Sequence, residues 1–247
     1  MDSAPFNALS TTSFSSQESP RVEGDWSVAP RDRLVAGARA RPVGLLAKRL
    51  FDLTGAAAGL LMLAPVLAVV ALLIRADSPG PVIFRQRRLG RHGQPFQIYK
   101  FRTMRADAEA QISQLETRNE AARGVLFKMR EDPRVTRLGR FLRRTNCDEL
   151  PQLLNVLRGE MSLVGPRPFQ DRDCDRLETL DPIGFARRLE LPPGLTGAWQ
   201  VGRLDPTDSE CLLDLDLDYV ENWSFALDLR LLYRTIFILI AGCRSSR

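Results

Sequence analysis

LTGAAAGLLMLAPVLAVVALLI, Leu53 to Ile74, is the stretch that decides the fold. Its twenty-two residues carry no charge. At about 1.5 Å per helical residue they are long enough to cross a ~30 Å hydrocarbon core. The competing account is a buried helix of a soluble core, but the run has no polar face to turn toward water. A membrane helix is therefore expected. Basic residues flank it on both sides: Arg31, Arg33, Arg39, Arg41, Lys48 and Arg49 before it, Arg75, Arg85, Arg87, Arg88 and Arg91 after it. Positive charge marks the cytoplasmic side of a bilayer. Two basic flanks therefore favour a hairpin that enters and leaves by one face over a kinked span. Pro65 lies near the middle, where it removes a helical hydrogen bond and crowds the preceding turn, and it is the expected break.

Working outward, residues 1–30 are rich in Ser, Thr, Pro and Ala without apolar periodicity. Residues 1–40 are expected to be a disordered N-terminal extension and not a signal peptide. Residues 41–76 hold the basic flank and the re-entrant helix, and 77–247 form a cytoplasmic domain. Within it, Ser78-Pro79-Gly80-Pro81 reads as a turn. Residues 82–84 and 96–99 read as short strands, joined by the basic segment 85–95. A polar helix is expected over 104–128, and a basic amphipathic one from Arg134 to Arg144. Pro151 to Leu157 reads as an apolar helix stopped by Gly159. A charged helix is expected over 171–190, an extended segment from Leu195 to Val201, and an apolar helix from Leu229 to Ala241. That last helix either lies in the membrane interface or packs on the core. The fold class is α+β, mostly helical, with a small β element and amphipathic interface helices.

Composition narrows the chemistry. The net charge of +5 points to an anionic partner without choosing among nucleic acid, lipid headgroups and a phosphorylated substrate. The only histidine is His92, in a turn-like Arg-His-Gly-Gln, and the four cysteines form no CxxC pair. A zinc site has almost no ligands to draw on, and histidine-based nucleophilic catalysis would depend on that one turn residue. No nucleic-acid-binding motif accompanies the uncharged run, so nucleic acid is not an expected partner.

Three segments could carry chemistry. Thr145 with Asp148 fits a capping box, and Pro151 is tolerated only near a helix start. Asp148 and Glu149 then fall in a first helical turn, where free N–H groups attract phosphate. The plainer account is that both acids simply favour the helix dipole. In Gly165-Pro166-Arg167-Pro168 an arginine is held between prolines, pre-set to offer its fork to a phosphate or merely forming a rigid turn. Lys100-Phe101-Arg102 follows a strand with two more cations. Cations around one carboxylate pair suit a phosphate-bearing substrate with a divalent metal.

The sequence resembles the monotopic phosphoglycosyl transferases, bacterial sugar transferases that start exopolysaccharide, O-antigen and N-glycan assembly. The likeness begins at Lys48-Arg49-Leu50-Phe51-Asp52 and ends near Thr235. It includes Ser78 to Phe84 with Gln86, Tyr99-Lys100-Phe101-Arg102-Thr103-Met104, and Asp132 to Thr136 with Gly139. It continues through Asp148-Glu149-Leu150-Pro151-Gln152-Leu153 with Asn155, Met161 to Pro168, and Pro193 to Gly197 with Trp199 to Arg203. Asp216, Tyr219, Trp223-Ser224 and Asp228 close it. One departure is Ala64-Pro65, where the family often has Ser-Pro.

The resemblance implies a re-entrant membrane helix in the bacterial inner membrane and an active site on its cytoplasmic face. It implies an Asp148–Glu149 dyad acting with Mg2+, both acids being metal-binding candidates. Lys100, Arg143 and Arg167 are the implied phosphate contacts, with Arg102, Pro168 and Arg203 completing the substrate-binding set. The implied reaction moves a sugar-1-phosphate, from an unmodified hexose such as glucose or galactose, from a UDP-sugar to polyprenyl (undecaprenyl) phosphate. UMP is released, through a phosphosugar carried on Asp148. The implied partners are these two substrates, inner-membrane lipids and downstream glycosyltransferases, with a homodimer left open. The family's larger members carry extra transmembrane helices ahead of this domain, so a compact member is expected. The alternative is a non-catalytic membrane scaffold of an envelope polysaccharide assembly complex.

Overall fold

The computed structural model describes residues 42–105, 108, 111, 129, 132–202 and 209–242. The expected extension over 1–40 and nearly all of the polar helix expected over 104–128 lie outside the described residues.

The charge-free run sits inside α1 (Pro42–Asp77), a helix of 36 residues. Its Leu, Ala and Val content suits a helix, and Pro65 lies within it as part of one uninterrupted element. Pro65 has no N–H to give, so the Leu61 carbonyl lacks its helical donor there. Most of the helix's apolar surface faces outward. Only 11% of its most apolar stretch is buried inside the molecule, and it is the one described helix long and apolar enough to cross a membrane. That marks α1 as the element of membrane association.

Both halves of α1 nevertheless touch the body of the protein. Leu45, Phe51, Ala56, Leu60 and Leu63 pack with Leu153, Val156 and Leu163. Further along, Leu67, Val70, Ala71 and Ile74 pack with Phe101, Leu142 and Ile83.

The small β element is an antiparallel hairpin, β1 (Ile83–Leu89) and β2 (Pro95–Phe101), with Phe84 opposite Lys100 and Arg88 opposite Phe96. The strands are longer than the sequence implied, and the first part of the basic linker expected over 85–95, through Leu89, belongs to β1. Its arginines find partners on the sheet: Arg85 lies over the Tyr99 ring, and Arg88 Nη2 donates to Gln86 Oε1 at 2.7 Å. His92, at φ 55°, and Gly93, at φ 72°, turn the chain back in the left-handed region.

Next come α2 (Arg137–Arg144), a 3-10 segment (Cys147–Gln152) and α3 (Leu153–Arg158). Gly159, at φ 84°, ends α3 as its position in the sequence foretold. β3 (Ser162–Val164) pairs in parallel with β4 (Gly194–Thr196). The single helix expected over 171–190 is two, α4 (Asp171–Leu180) and α5 (Pro182–Arg188). The Asp181 carboxylate accepts from Gly184 N at 2.9 Å, so Asp181-Pro182 stops one helix and caps the next. The extended segment expected to Val201 ends at Thr196, and Ala198–Val201 turns into α6. α7 (Ser209–Glu221), which the sequence reading did not anticipate, leads to α8 (Phe225–Gly242).

A buried polar clamp joins the two ends of this arrangement. Lys48 Nζ in α1 donates to Asp228 Oδ2 in α8 at 2.6 Å and to the Val164 carbonyl of β3 at 2.9 Å. Tyr219 Oη of α7 donates to Asp228 Oδ1 at 2.7 Å, and Trp223 Nε1 to Oδ2 at 3.2 Å. Breaking a buried pair by removing one partner costs about 3–5 kcal/mol, because the other charge is left uncompensated. Lys48→Met is therefore expected to lower stability by about that amount. Lys48→Met combined with Asp228→Asn should recover part of the loss, measured as thermal midpoints of the detergent-solubilised protein.

Candidate active site

The 3-10 segment places the acids. Its tight turn eclipses side chains three apart, so Glu149 and Gln152 share one face and Asp148 sits beside it. The capping box expected at Thr145 is absent. The Thr145 hydroxyl instead donates back to the carbonyls of Phe141, at 3.0 Å, and Leu142, at 3.1 Å, closing α2. Asn146, at φ 53°, then reverses the chain and occupies the cap position without a side-chain bond.

A small, partly open cleft lies on the Glu149 face. The even-numbered face of the hairpin, with Arg88, Ile98 and Lys100, forms one wall. Arg167 and Pro168 form a second, Gly194, Leu195 and Trp199 a third, and Glu149 and Gln152 the floor. Lys100 Nζ pairs with Glu149 Oε1 at 2.6 Å. The Arg167 guanidinium lies 4.5 Å from the centre of the Trp199 ring. Its backbone is fixed from below: Arg167 N donates to Asp216 Oδ2 at 3.2 Å, and Arg188 Nη2 donates to the Arg167 carbonyl at 2.5 Å and to Asp216 Oδ2 at 2.8 Å.

Two glycines set the distance across this end. A Cβ on Gly165 would lie 2.4 Å from Pro192 O, and one on Gly194 would lie 2.1 Å from Gly165 N. Only glycine allows the Arg167 loop to meet β4 so closely.

The two carboxyls are driven apart electrostatically. Burial, and then the neighbouring Glu149 charge, push Asp148 up to about 6, against the opposing pull of Lys100 and Arg143. Burial also acts to raise Glu149, but Lys100, Arg167 and Arg88 outweigh it and hold Glu149 below the usual range. Burial, with Arg167 close by, draws Arg88 down to about 10. Glu149 is thus an engaged anion, whereas among the described residues Asp148 makes no hydrogen bond to another side chain, its carboxyl being met by its own backbone N–H.

Of the residues marked from sequence, Lys100, Glu149, Arg167 and Pro168 line the cleft together. Asp148 adjoins it, buried and 9% exposed. Arg143 does not line the cleft; it is close enough to Asp148 to pull on its carboxyl, and its Nε donates to Thr103 Oγ1 at 2.9 Å. Arg102 goes elsewhere: its Nη2 donates to the Ser78 carbonyl at 2.6 Å and to Ile74 O, closing the end of α1. Arg203 lies outside the described residues. Arg88 was not marked from sequence as a site residue. Its signal was strand alternation, since it shares a face with Lys100 once the hairpin register is known.

Among the described residues no three His, Cys, Asp or Glu side chains converge as a metal site. Asp148 and Glu149 remain a fitting pair for Mg2+, which keeps waters and substrate phosphates as most of its ligands and takes one or two carboxylates from protein.

Fold and site together define a protein seated on an apolar helix, with a carboxylate pair set among cations that suit phosphate. The chain belongs to the bacterial sugar transferase family, whose model matches residues 43–242. It is 42% identical over 199 residues to the galactosyl transferase CpsE of Streptococcus agalactiae serotype III, covering 80% of this chain and 43% of that protein. It is 44% identical over 199 residues to the undecaprenyl-phosphate glucose phosphotransferase of Komagataeibacter xylinus, covering 78% and 35%. It is 43% identical over 196 residues to the UDP-glucose:undecaprenyl-phosphate glucose-1-phosphate transferase of Caulobacter vibrioides, covering 77% and 68%. The chain thus spans less than half the length of the first two relatives.

The raised Asp148 carboxyl has a consequence for stability. Its folded value, about 6, exceeds the ordinary aspartate value of 3.8, so between those pH values the folded state holds a proton that the unfolded chain releases. The group therefore destabilises the fold above pH 6 and ceases to do so below about 4. Asp148→Asn is expected to raise the thermal midpoint at pH 8, by at most about 3 kcal/mol of stability, and to leave it unchanged near pH 4.

Proposed function

We propose that this protein transfers a hexose-1-phosphate from a UDP-sugar to polyprenyl phosphate, releasing UMP. The observation that carries the reading is the unequal carboxyl pair: Glu149 bonded to Lys100 over a cation-lined cleft, and Asp148 buried beside it with no other side chain among the described residues bonded to it. The names of the relatives support the same reaction, and they differ in the sugar, glucose or galactose.

The step is a double displacement. A carboxylate oxygen of Asp148 bonds to the β-phosphorus of the donor, and the bridging oxygen leaves with its electron pair as UMP. A phosphate oxygen of the polyprenyl acceptor then attacks the same phosphorus, and the Asp148 carboxylate departs. Both nucleophiles are anions at neutral pH, so no general base is needed to activate them. Burial withdraws water from the Asp148 carboxylate, which raises its reactivity, and Lys100, Arg88 and Arg167 bind phosphoryl charge. Mg2+ held by Asp148 and Glu149 would add neutralisation of the diphosphate.

The reading places the catalytic domain on the cytoplasmic face of the bacterial inner membrane, with α1 bending at Pro65 in the bilayer so that it enters and leaves by that face. Contact of both halves of α1 with one body supports this, because the ends of a helix spanning ~30 Å of hydrocarbon lie on opposite sides of the bilayer. The exposed Leu229, Tyr233, Ile236 and Phe237 of α8 support an interfacial position for that helix. A site docked at the interface confines an acceptor that cannot leave the lipid.

UMP release from UDP-glucose or UDP-galactose, with undecaprenyl phosphate and Mg2+, is the direct test. Asp148→Asn should lower it by at least ~1,000-fold, in line with the loss of a covalent nucleophile. Initial rates should give parallel double-reciprocal lines, whereas intersecting lines would point to direct transfer. The acid limb of kcat/KM should fall near pH 6, as Asp148 takes up its proton. A cysteine-reactive label at Ser10→Cys should be reached from the cytoplasm, and periplasmic labelling would rule out the re-entrant arrangement.

A further inference from the structure

Three of the residues that line the cleft each carry a buried nitrogen with no hydrogen-bond partner among the described residues: Arg88 Nε, Gln152 Nε2 and Trp199 Nε1. All three are nitrogen donors. A buried donor left unmade is costly, and native proteins keep few of them without a use. A cleft whose unmet groups all donate is shaped for a ligand rich in accepting oxygens. Gln152 is the most telling of the three. It is 2% exposed and neutral, and it stands on the same tight turn as the carboxyl pair. Three residues of a 3-10 turn rise only about 6 Å, and Glu149 and Gln152 are eclipsed on it. Gln152 is therefore held within one short turn of Asp148, where the proposed reaction puts the phosphorus, with the uracil of an extended donor a ribose and a second phosphate away.

We infer that the Gln152 side-chain amide donates a hydrogen bond to an oxygen of the donor's β-phosphate, the phosphoryl group that is transferred. The inference rests on the proposed reaction and adds a residue to it. Lys100, Arg88 and Arg167 supply charge to the diphosphate, while Gln152 supplies direction from the floor of the cleft. A neutral donor there does not raise the cost of bringing a second anion, the lipid phosphate, to the same place.

The test is calorimetric titration of full-length protein in detergent with UDP and with UMP, each with Mg2+, for wild type and Gln152→Met. Methionine keeps the side chain's length and removes the donor. UDP affinity should fall roughly ten-fold, the effect of losing one hydrogen bond to a charged group, while UMP affinity changes less than about two-fold. Because an unmet buried donor has been removed, the thermal midpoint of unliganded Gln152→Met should match or exceed that of wild type. A residue with a purely structural role would lower it. If Gln152→Met does not fold, Gln152→Glu, which keeps the shape and reverses the polarity, should lose UDP binding more severely still. UDP affinity unchanged in the folded variant would overturn the assignment, as would equal losses for UDP and UMP. Wild type that fails to bind UDP at all would overturn the donor reading and this inference together. Tight wild-type binding with an indifferent variant would overturn this inference alone.

Discussion

A lysine and an aspartate 180 residues apart meet at 2.6 Å in the dry centre of the molecule, and both ends of the chain's architecture are defined by that contact. Lys48 belongs to the helix that carries the apolar surface; Asp228 belongs to the last helix. Between them passes β3, whose Val164 carbonyl accepts from Lys48 and lies 3.1 Å from the Tyr219 hydroxyl. The residue after Val164 opens the Gly165–Pro168 loop, so the clamp that seats the membrane helix also seats the arginine of the cleft. Burying a charged pair is expensive unless its remaining valences are met. Here Tyr219 and Trp223 meet those of Asp228, which makes the junction specific as well as strong.

The same logic recurs at the site with the opposite outcome. Adjacent carboxyls cannot both be comfortable in a buried setting, and the surrounding cations divide unevenly between them. Glu149 takes Lys100 as a close partner and the field of two arginines; Asp148 receives Lys100 and Arg143 only at longer range. One acid becomes a fixed anion and the other a strained one. Pairs whose environments push them apart in this way divide roles. The inequality here follows from how the cations are placed, Lys100 bonding Glu149 directly and reaching Asp148 only through its field.

Features written as local periodicity were readable from the sequence. The apolar run of α1, the Gly159 stop and the apolar pattern of α8 each carry their own signal, and the structure follows them. The Asp148–Glu149 pair was readable by position, although for a reason that failed. Thr145 does not cap the acid-bearing turn, because its hydroxyl reaches back to α2 and Asn146 takes a left-handed conformation that no capping pattern encodes. The break at Asp181-Pro182 was legible as an N-cap followed by a first-turn proline, yet the surrounding charges hid it in one long polar stretch. Arg88 and Arg102 show the limit most clearly. Both are arginines in or beside short strands, and only strand register and the packing of α1 decide that one faces the cleft and the other closes a helix. The same non-local contacts give α7 its purpose, since Asp216 matters through Arg188 and Arg167.

The crossing of Gly165 and Gly194 acts as a gauge block. Two backbones in contact leave no side chain to lengthen or trim, so the gap between the Arg167 loop and β4 is set by atomic radii. Mutation can break that dimension but cannot tune it. Any drift in which ligands the cleft admits must be written on its other walls, in the hairpin or around Trp199. Under the proposed reaction, the part of the cleft beside the phosphates is thereby insulated from the part free to diversify.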